Sequence, residues 1–252
     1  MLNILRVIAK EGKVMKKKSE VLSKIENQIL VSCQAYEPSP HATITDMVKM
    51  ALAAQISGCN GFRVNHPDYV RAIRKAVGED AIIIGIWKVH TPGNDVYITP
   101  TMQAVRELVE AGADIIALDC TNRLSVYGYY CVSLVEQIKE EFPELAVMAD
   151  CSTFEEAKTA ATAGVDIVSS TLSGYTEYTK DRYSLGTDFQ LIKDMATIPN
   201  VFVIAEGRIW TREEAIEAFK CGANACVIGT AITNPWLVAT RFIKAADEHF
   251  GR

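Results

Sequence analysis

The feature that most constrains the fold of this chain is a repeated pattern, in which a short run rich in Val and Ile precedes a stretch with apolar residues at helical spacing. From Gln28 onward the pattern recurs about eight times, which is typical of βα units joined in a parallel sheet. The predicted strands are Ile29–Ser32, Gly61–Val64, Ala81–Trp87, Asp114–Leu118, Leu145–Ala149, Asp166–Ser170, Val201–Ala205 and Ala225–Ile228. Strands that are apolar on both faces need helices outside the sheet, so we predict an α/β fold, a closed (β/α)8 TIM barrel.

Helices between these strands complete the predicted fold. Their predicted positions are Thr45–Ser57, Asp68–Ala76, Thr101–Ala111, Val132–Glu141, Phe154–Ala163, Asp188–Thr197, Thr211–Lys220 and Pro235–His249. Glycines such as Gly112 and Gly164 follow the helices and suit the left-handed conformation that closes a helix. Because 252 residues match the roughly 250 residues of one such barrel, we expect a single barrel domain over residues 28–252.

Residues 1–27 precede the barrel and carry charges throughout. They lack the apolar centre and the small-residue cleavage site of a secretory signal. We expect an N-terminal extension ending in a short helix, with Leu22 and Ile25 at helical spacing, that caps the bottom of the barrel. Met15 is an alternative start of the chain.

Composition excludes several classes of function. The net charge of −5 and the absence of a basic cluster beyond Lys16-Lys17-Lys18 argue against a nucleic-acid partner. The apolar runs are far shorter than the roughly 20 residues of a membrane span. Seven cysteines, without the spacing of a disulfide framework or a zinc site, indicate a reducing compartment. We therefore expect a cytoplasmic protein with no metal and no membrane partner.

Two long loops interrupt the repeated pattern. The segment from Thr171 to Gly186 is aromatic and contains internal glycine, and long loops in compact domains are usually functional. We predict that it closes as a lid over the active site. A second loop, from Lys88 to Pro100, follows the third predicted strand at the same end of the barrel.

Polar residues lie at or just after the C-terminal end of each predicted strand, where a TIM barrel builds its active site. In chain order they are Gln34, Arg63, Lys88, Asp119, Asp150, Thr171, Glu206 and Gly229-Thr230. Buried charges must be paired or functional, so charged residues converging on one mouth indicate catalysis. The charged residues we single out are Arg63, Lys88, Asp150, Glu206 and Arg208. The structural alternative is a ring of salt bridges that stabilises the top of the barrel.

The last two βα loops have the composition of a phosphate site. Gly207 follows the seventh predicted strand, and Gly229 with Thr230 follows the eighth. Small residues there let backbone N–H groups approach an anion beside the start of a helix. We therefore predict a phosphate cup formed by these two turns.

Lys88 and Glu206 face the same predicted cavity and allow two mechanisms. In the first, Lys88 forms a Schiff base with a carbonyl substrate, as an aldolase would. In the second, the two residues transfer protons at a carbon beside a carbonyl group. Both need a lysine whose pKa is lowered from about 10.4 by burial or by a neighbouring cation such as Arg63. Residue types do not separate the two mechanisms.

Motifs along the chain resemble the N-acetylmannosamine-6-phosphate 2-epimerase family. They lie in family order between about Gln28 and Lys244, which is nearly the whole chain. The matching segments are Val31-Ser-Cys-Gln-Ala35, Ile84-Gly-Ile-Trp-Lys88, Val96-Tyr-Ile-Thr-Pro-Thr101, Ile116-Ala-Leu-Asp-Cys-Thr-Asn-Arg123, Met148-Ala-Asp-Cys-Ser-Thr153, Ser170-Thr-Leu-Ser-Gly-Tyr175, Ala205-Glu-Gly-Arg-Ile209 and Gly229-Thr-Ala-Ile-Thr233.

The resemblance implies an epimerase without a cofactor that interconverts N-acetylmannosamine 6-phosphate and N-acetylglucosamine 6-phosphate, as in sialic-acid or amino-sugar breakdown. It implies that Lys88 acts as base and acid at C2, with Glu206 as its catalytic partner. The residues that it places around the sugar are Gln34, Arg63, Asp150 and Arg208, with the Gly207 and Gly229-Thr230 turns around the phosphate.

Departures from the family pattern lie in the loops. Val89 stands where the family usually has Arg after the catalytic lysine, and Asn234 stands where it usually has Arg in the last loop. An epimerase for a different acyl sugar phosphate, a Schiff-base aldolase and a non-catalytic sugar-phosphate sensor are therefore alternatives. Apolar residues on the last helix, among them Trp236 and Phe242, are consistent with a homodimer.

Overall fold

A computed structural model, which describes residues 15–252, contains eight parallel strands that close into a barrel in chain order. The strands are β1 (Ile29–Cys33), β2 (Gly61–Asn65), β3 (Ile82–Ile86), β4 (Ile115–Asp119), β5 (Ala146–Asp150), β6 (Ile167–Ser169), β7 (Phe202–Glu206) and β8 (Ala225–Ile228). Strand β8 pairs back with β1, where Val31 lies opposite Ile228. The predicted TIM barrel is confirmed. Residues 1–14 of the expected N-terminal extension lie outside the described range.

Helices alternate with the strands. They are α1 (Lys18–Ile25), α2 (Ile44–Ile56), α3 (Pro67–Val77), α4 (Met102–Ala111), α5 (Leu134–Glu141), α6 (Phe154–Ala163), α7 (Phe189–Met195), α8 (Arg212–Lys220), α9 (Thr230–Thr233) and α10 (Pro235–Phe250), with 3₁₀ helices at Cys131–Ser133 and Lys180–Leu185. None of the helices within residues 15–252 combines the length and the apolar composition needed to span a membrane.

The main errors of the sequence prediction lie at helix starts. We predicted that helices begin at Thr101, Asp188 and Thr211, but each of these residues precedes its helix as the N-cap. The cause is that each side chain accepts a hydrogen bond from a backbone N–H of the first turn, which requires a non-helical residue. The helix predicted from Val132 begins at Leu134, because the chain enters it through a 3₁₀ turn.

Side chains alternate between two apolar layers. On β3, Ile83 belongs to the layer that packs against the helices, whereas Ile82, Ile84 and Ile86 belong to the cluster that fills the barrel. This alternation follows from the period of two along a β-strand. A residue two positions beyond the last interior side chain therefore points into the C-terminal mouth of the barrel.

The opposite end of the barrel is closed by α1. Its buried side chains Val21 and Ile25 belong to the interior cluster, and the half-buried Leu22 packs against the same cluster. Lys16, just before the helix, forms an ion pair of 3.0 Å with Asp114, which also binds Arg74. The N-terminal end of the barrel is thus filled by apolar and paired side chains, which leaves the C-terminal mouth for chemistry.

Candidate active site

Arg63 of β2 lies at the centre of the mouth and binds two carboxylates. Its Nη1 and Nη2 atoms donate to both oxygens of Asp150, at 3.0 and 2.6 Å, and Nη1 also donates to Oε2 of Glu206 at 2.8 Å. The side chains of Arg63 and Asp150 are 1% and 0% exposed, whereas that of Glu206 is 14% exposed. Glu206 is therefore the carboxylate of this group that reaches the open end of the barrel.

The surroundings of Glu206 favour its protonated form. Burial raises the pKa of Glu206 to about 7, with the charge of Asp150 acting in the same direction and Arg63 in the opposite one. Burial disfavours the charge of Arg63, but Asp150 and Glu206 together raise the pKa of its guanidinium above its ordinary value. Glu206 can thus gain or lose a proton near neutral pH, as a general acid or base must.

Lys88 follows β3 two positions after the interior residue Ile86. Its backbone is fixed, because its N–H donates to Oδ1 of Asn65 at 2.9 Å and it bridges to Ile98 across the following loop. Burial, and secondly the charge of Arg63, lower the pKa of its amine to about 8. Within the described chain, no carboxylate forms an ion pair with its Nζ. A neutral amine is therefore accessible close to neutral pH.

Residues at the end of β6 connect the two carboxylates. The Oγ1 atom of Thr171 lies 2.7 Å from Oδ1 of Asp150 and 3.2 Å from Oε2 of Glu206. Ser170 fixes the neighbouring backbone, because its hydroxyl donates to the carbonyl of Glu206 at 2.9 Å and accepts from its N–H at 3.2 Å. Thr171 was predicted to lie at the mouth, but no role was predicted for it.

A second buried carboxylate lies at the end of β4. Asp119, which is 1% exposed, accepts hydrogen bonds from the hydroxyl of Thr121 at 2.5 Å and from Nη2 of Arg123 at 2.8 Å. The half-buried phenol of Tyr97 senses the charges of both Arg123 and Asp119, and burial raises the pKa of Tyr97. Tyr97 lies within the motif from Val96 to Thr101, but no role was predicted for it, because the return of this loop toward Lys88 has no local signal.

Arg208 is turned toward the loop that follows β6. Its Nε donates to the carbonyl of Gly186 at 2.7 Å and its Nη1 to the carbonyl of Ser173. Its guanidinium also lies 5.5 Å from the ring centroids of Tyr175 and Tyr183. The side chain expected to hold the sugar thus holds the two ends of the loop from Thr171 to Gly186.

The remaining predicted residues line the side of the mouth near β1 and β8. Gln34 donates through Nε2 to the hydroxyl of Ser32 at 2.8 Å, while its buried Oε1 has no partner among the described residues. Gly229 approaches the same strand so closely that an added Cβ would lie 3.2 Å from the Cβ of Ser32. Gly207 has a φ of +113°, which requires glycine or strain.

These positions reconcile the two interpretations of the charged mouth. Arg63, Asp150 and Glu206 do form the salt-bridge network of the structural alternative, but Lys88 stays outside it with a lowered pKa. An amine and a carboxyl group with pKa values near neutrality in one mouth suit proton transfer rather than support of the fold. Residues 15–252 contain no group of three or more His, Cys, Asp or Glu side chains that could hold a metal ion.

Comparisons with known proteins agree with the motifs. A family described as "Putative N-acetylmannosamine-6-phosphate epimerase" matches residues 47–248. Two proteins described as "Putative N-acetylmannosamine-6-phosphate 2-epimerase", from Caldanaerobacter subterraneus subsp. tengcongensis and Shouchella clausii, are 45% and 42% identical and cover 91% and 89% of this chain. The matches cover 95% and 98% of those two proteins.

Solved structures give the same result. The structure of the N-acetylmannosamine-6-phosphate 2-epimerase from Clostridium perfringens superimposes with a TM-score of 0.83 at 36% identity, covering 89% of this chain and 95% of that one. A thiamine phosphate pyrophosphorylase from Pyrococcus furiosus, at 15% identity and a TM-score of 0.56, shares the fold alone. The chain therefore belongs to the N-acetylmannosamine-6-phosphate epimerase family.

Proposed function

We propose that this protein interconverts N-acetylmannosamine 6-phosphate and N-acetylglucosamine 6-phosphate by moving a proton at C2. One observation carries the proposal: the mouth holds an amine with a pKa of about 8, Lys88, and a carboxyl group with a pKa of about 7, Glu206, that sense each other's charge. The names of the relatives in the same family support this choice of substrate.

The reaction uses the open-chain form of the sugar, in which C2 lies beside an aldehyde. Neutral Lys88 removes the proton from C2, and the electron pair moves onto the aldehyde oxygen to give an enolate. Glu206 gives a proton to this oxygen and takes it back as the carbonyl forms again, while the Lys88 ammonium returns its proton to the opposite face of C2 once the planar enolate has turned over in the site, which gives the epimer. Protons and electrons balance without another reactant.

We assign phosphate binding mainly to backbone N–H groups of the Gly207 and Gly229-Thr230 turns. Within residues 15–252, the three arginines nearest the strand ends already donate to protein acceptors: Arg63 to carboxylates, Arg123 to Asp119 and Arg208 to loop carbonyls. Backbone N–H groups at the start of a helix lack intrahelical partners and can bind an anion without a side-chain charge. Gln34 is left to contact the sugar through its unpartnered Oε1.

The decisive experiment is incubation of the protein with N-acetylmannosamine 6-phosphate in D₂O, followed by NMR of the C2 proton. We expect loss of this proton signal and appearance of the epimer, and abolition of both in Lys88→Met. Lys75→Met, which removes an exposed lysine from α3, is the matched control and should retain exchange. Binding of the sugar phosphate without exchange would instead indicate a sensor, and borohydride trapping on Lys88 would indicate an aldolase.

We further propose that a second copy of the chain covers α10. This helix has 16 residues and none of them is buried, while Phe242, Ile243 and Phe250 are 74%, 60% and 68% exposed. Burial of such side chains contributes roughly 1.5–3 kcal/mol each, so a homodimer that buries them on both copies would be more stable than the separate chains. Light scattering should give twice the mass of the chain, and Phe242→Glu should lower it; a monomeric wild type at all concentrations would exclude the dimer.

A further inference from the structure

Thr171 has an unusual set of neighbours for a hydroxyl group. Its Oγ1 lies 2.7 Å from Oδ1 of Asp150, 3.2 Å from Oε2 of Glu206 and 2.8 Å from Oγ of Ser169. Nη1 of Arg63 contacts the same two carboxylate oxygens, at 3.0 and 2.8 Å. Each of these oxygens therefore lies within hydrogen-bond distance of a permanent cation and of a neutral hydroxyl.

The two bridging groups differ in what they can change. A guanidinium is always charged and keeps its donors in fixed directions, whereas a hydroxyl has one proton and can rotate it. Thr171 therefore donates to Asp150 or to Glu206, but not to both at once. Ser169 can supply the hydrogen bond that the Thr171 oxygen accepts, because either hydroxyl of that pair can be the donor.

We propose that Thr171 is a positioning residue for Glu206, whose hydroxyl holds Oε2 while Glu206 is ionised and turns to Asp150 when Glu206 takes up a proton. The proposal rests on the proposed function, in which Glu206 changes its protonation state during each turnover. It assigns Oε2 to the protein and leaves Oε1 to exchange a proton with the sugar. The rotating hydroxyl keeps both carboxylates hydrogen-bonded in either state.

The contacts of Thr171 separate this role from support of the fold. The backbone at the end of β7 is already fixed by Ser170, whose hydroxyl binds both the N–H and the carbonyl of Glu206. The side-chain hydroxyl of Thr171 contacts site carboxylates and Ser169 instead. Its removal should therefore change the titration of Glu206 more than the stability of the barrel.

The direction of the change follows from the groups that face Glu206. The side chains whose charge or hydrogen bond acts on it are Arg63, Lys88, Asp150, Thr171 and Tyr175. Arg63, Lys88 and the Thr171 hydroxyl favour the ionised form, whereas Asp150 and burial favour the protonated form. Loss of the hydroxyl removes one of the groups that favour ionisation, so the proton is held to a higher pH.

The first test measures the Glu206 carboxyl group directly by ¹³C NMR of glutamate-labelled protein, with Glu206→Gln to assign the signal. In Thr171→Val, which keeps the size of the side chain, we expect the titration midpoint to rise by about one pH unit, the effect of losing one hydrogen bond to a charged group. Thr171→Ser should titrate like the wild type. Thr159→Val, which removes an exposed hydroxyl from α6, is the matched control.

The second test follows deuterium exchange at C2 against pH in the same variants. Thr171→Val should lower kcat about tenfold with little change in KM. The part of the pH–rate profile that depends on Glu206 should move to higher pH. Thr171→Ser should restore both the rate and the pH dependence of the wild type. An unshifted carboxyl signal in Thr171→Val, or an equal shift in Thr171→Ser, would overturn the proposal. A shifted signal in a protein without any C2 exchange would support the positioning role and remove the proposed function instead.

Discussion

Replacement of Arg63 by Met should destabilise this barrel far more than the loss of an ordinary ion pair. Arg63 makes three charge-assisted hydrogen bonds, at 3.0, 2.6 and 2.8 Å, from a position that is 1% exposed. Met fills similar space but leaves Asp150 and Glu206 facing each other without a cation. Removal of one partner from a buried ion pair costs about 3–5 kcal/mol, equivalent to a decrease in Tm of roughly 6–20 °C for a chain of this size.

Arg106 provides the matched control for this prediction. It forms the same two-pronged contact with Glu141, at 2.8 and 2.8 Å, but is 41% exposed. Exposed pairs contribute about 0–1 kcal/mol, so Arg106→Met should barely change the urea midpoint. The two arginines share the bidentate contact with one carboxylate and differ in burial and in the second carboxylate, Glu206, that Arg63 alone contacts.

The pH dependence of the stability of Arg63→Met provides a second test of this prediction. Without the guanidinium, the folded state holds the Glu206 proton more tightly than the unfolded state does, because Arg63 is the main group that opposes the rise of its pKa. Such a group stabilises the fold at low pH and loses this contribution as the pH rises through its folded pKa. The variant should therefore lose less stability at about pH 5 than at about pH 8. A loss no larger than that of Arg106→Met, or one independent of pH, would refute the assignment of Arg63 as the counter-charge of both carboxylates.

Two further predictions concern Lys88 and Arg208. The rate of C2 exchange should rise as the pH increases through about 8, because burial and Arg63 lower the pKa of Lys88 to about 8 and the amine must be neutral to accept a proton. In Lys88→Arg the exchange rate should not rise in this pH range, and exchange in that variant at the wild-type rate would exclude Lys88 as the base. Arg208→Met should speed hydrogen exchange within residues 173–186, because it removes the hydrogen bonds to Ser173 and Gly186, whereas Arg212→Met, with a side chain 94% exposed, should not.

The fold was predictable because its signals are local. Each predicted strand boundary lies within one residue of the observed one, since runs of Val and Ile between turns are a property of neighbouring residues. The places of Lys88 and Glu206 were predictable for the same reason, because each lies two positions beyond an interior residue of its own strand. Alternation along a strand is sufficient to direct such side chains into the mouth.

The partners of these side chains were not predictable, because they are distant in sequence. Arg63 meets Asp150 and Glu206 across separations of 87 and 143 residues, and no local pattern selects those carboxylates over Asp119. Arg208 illustrates the same limit at short range. Its φ of +57° turns its side chain back to the loop after β6, so a residue predicted from its neighbours to bind sugar donates to two carbonyl groups of the protein.

The buried network around Arg63 is better explained by proton transfer at the mouth than by stabilisation of the fold. A buried ion pair is often no better for stability than apolar side chains of similar volume, and the interior of this barrel is otherwise filled with such side chains. What the network provides is a carboxyl group, Glu206, that is held by Arg63 and Thr171 on one oxygen and has a pKa of about 7. An apolar replacement could not supply a proton there. The charges that weaken the case for Arg63 as a structural residue are therefore those that the proposed role of Glu206 as an acid and a base requires.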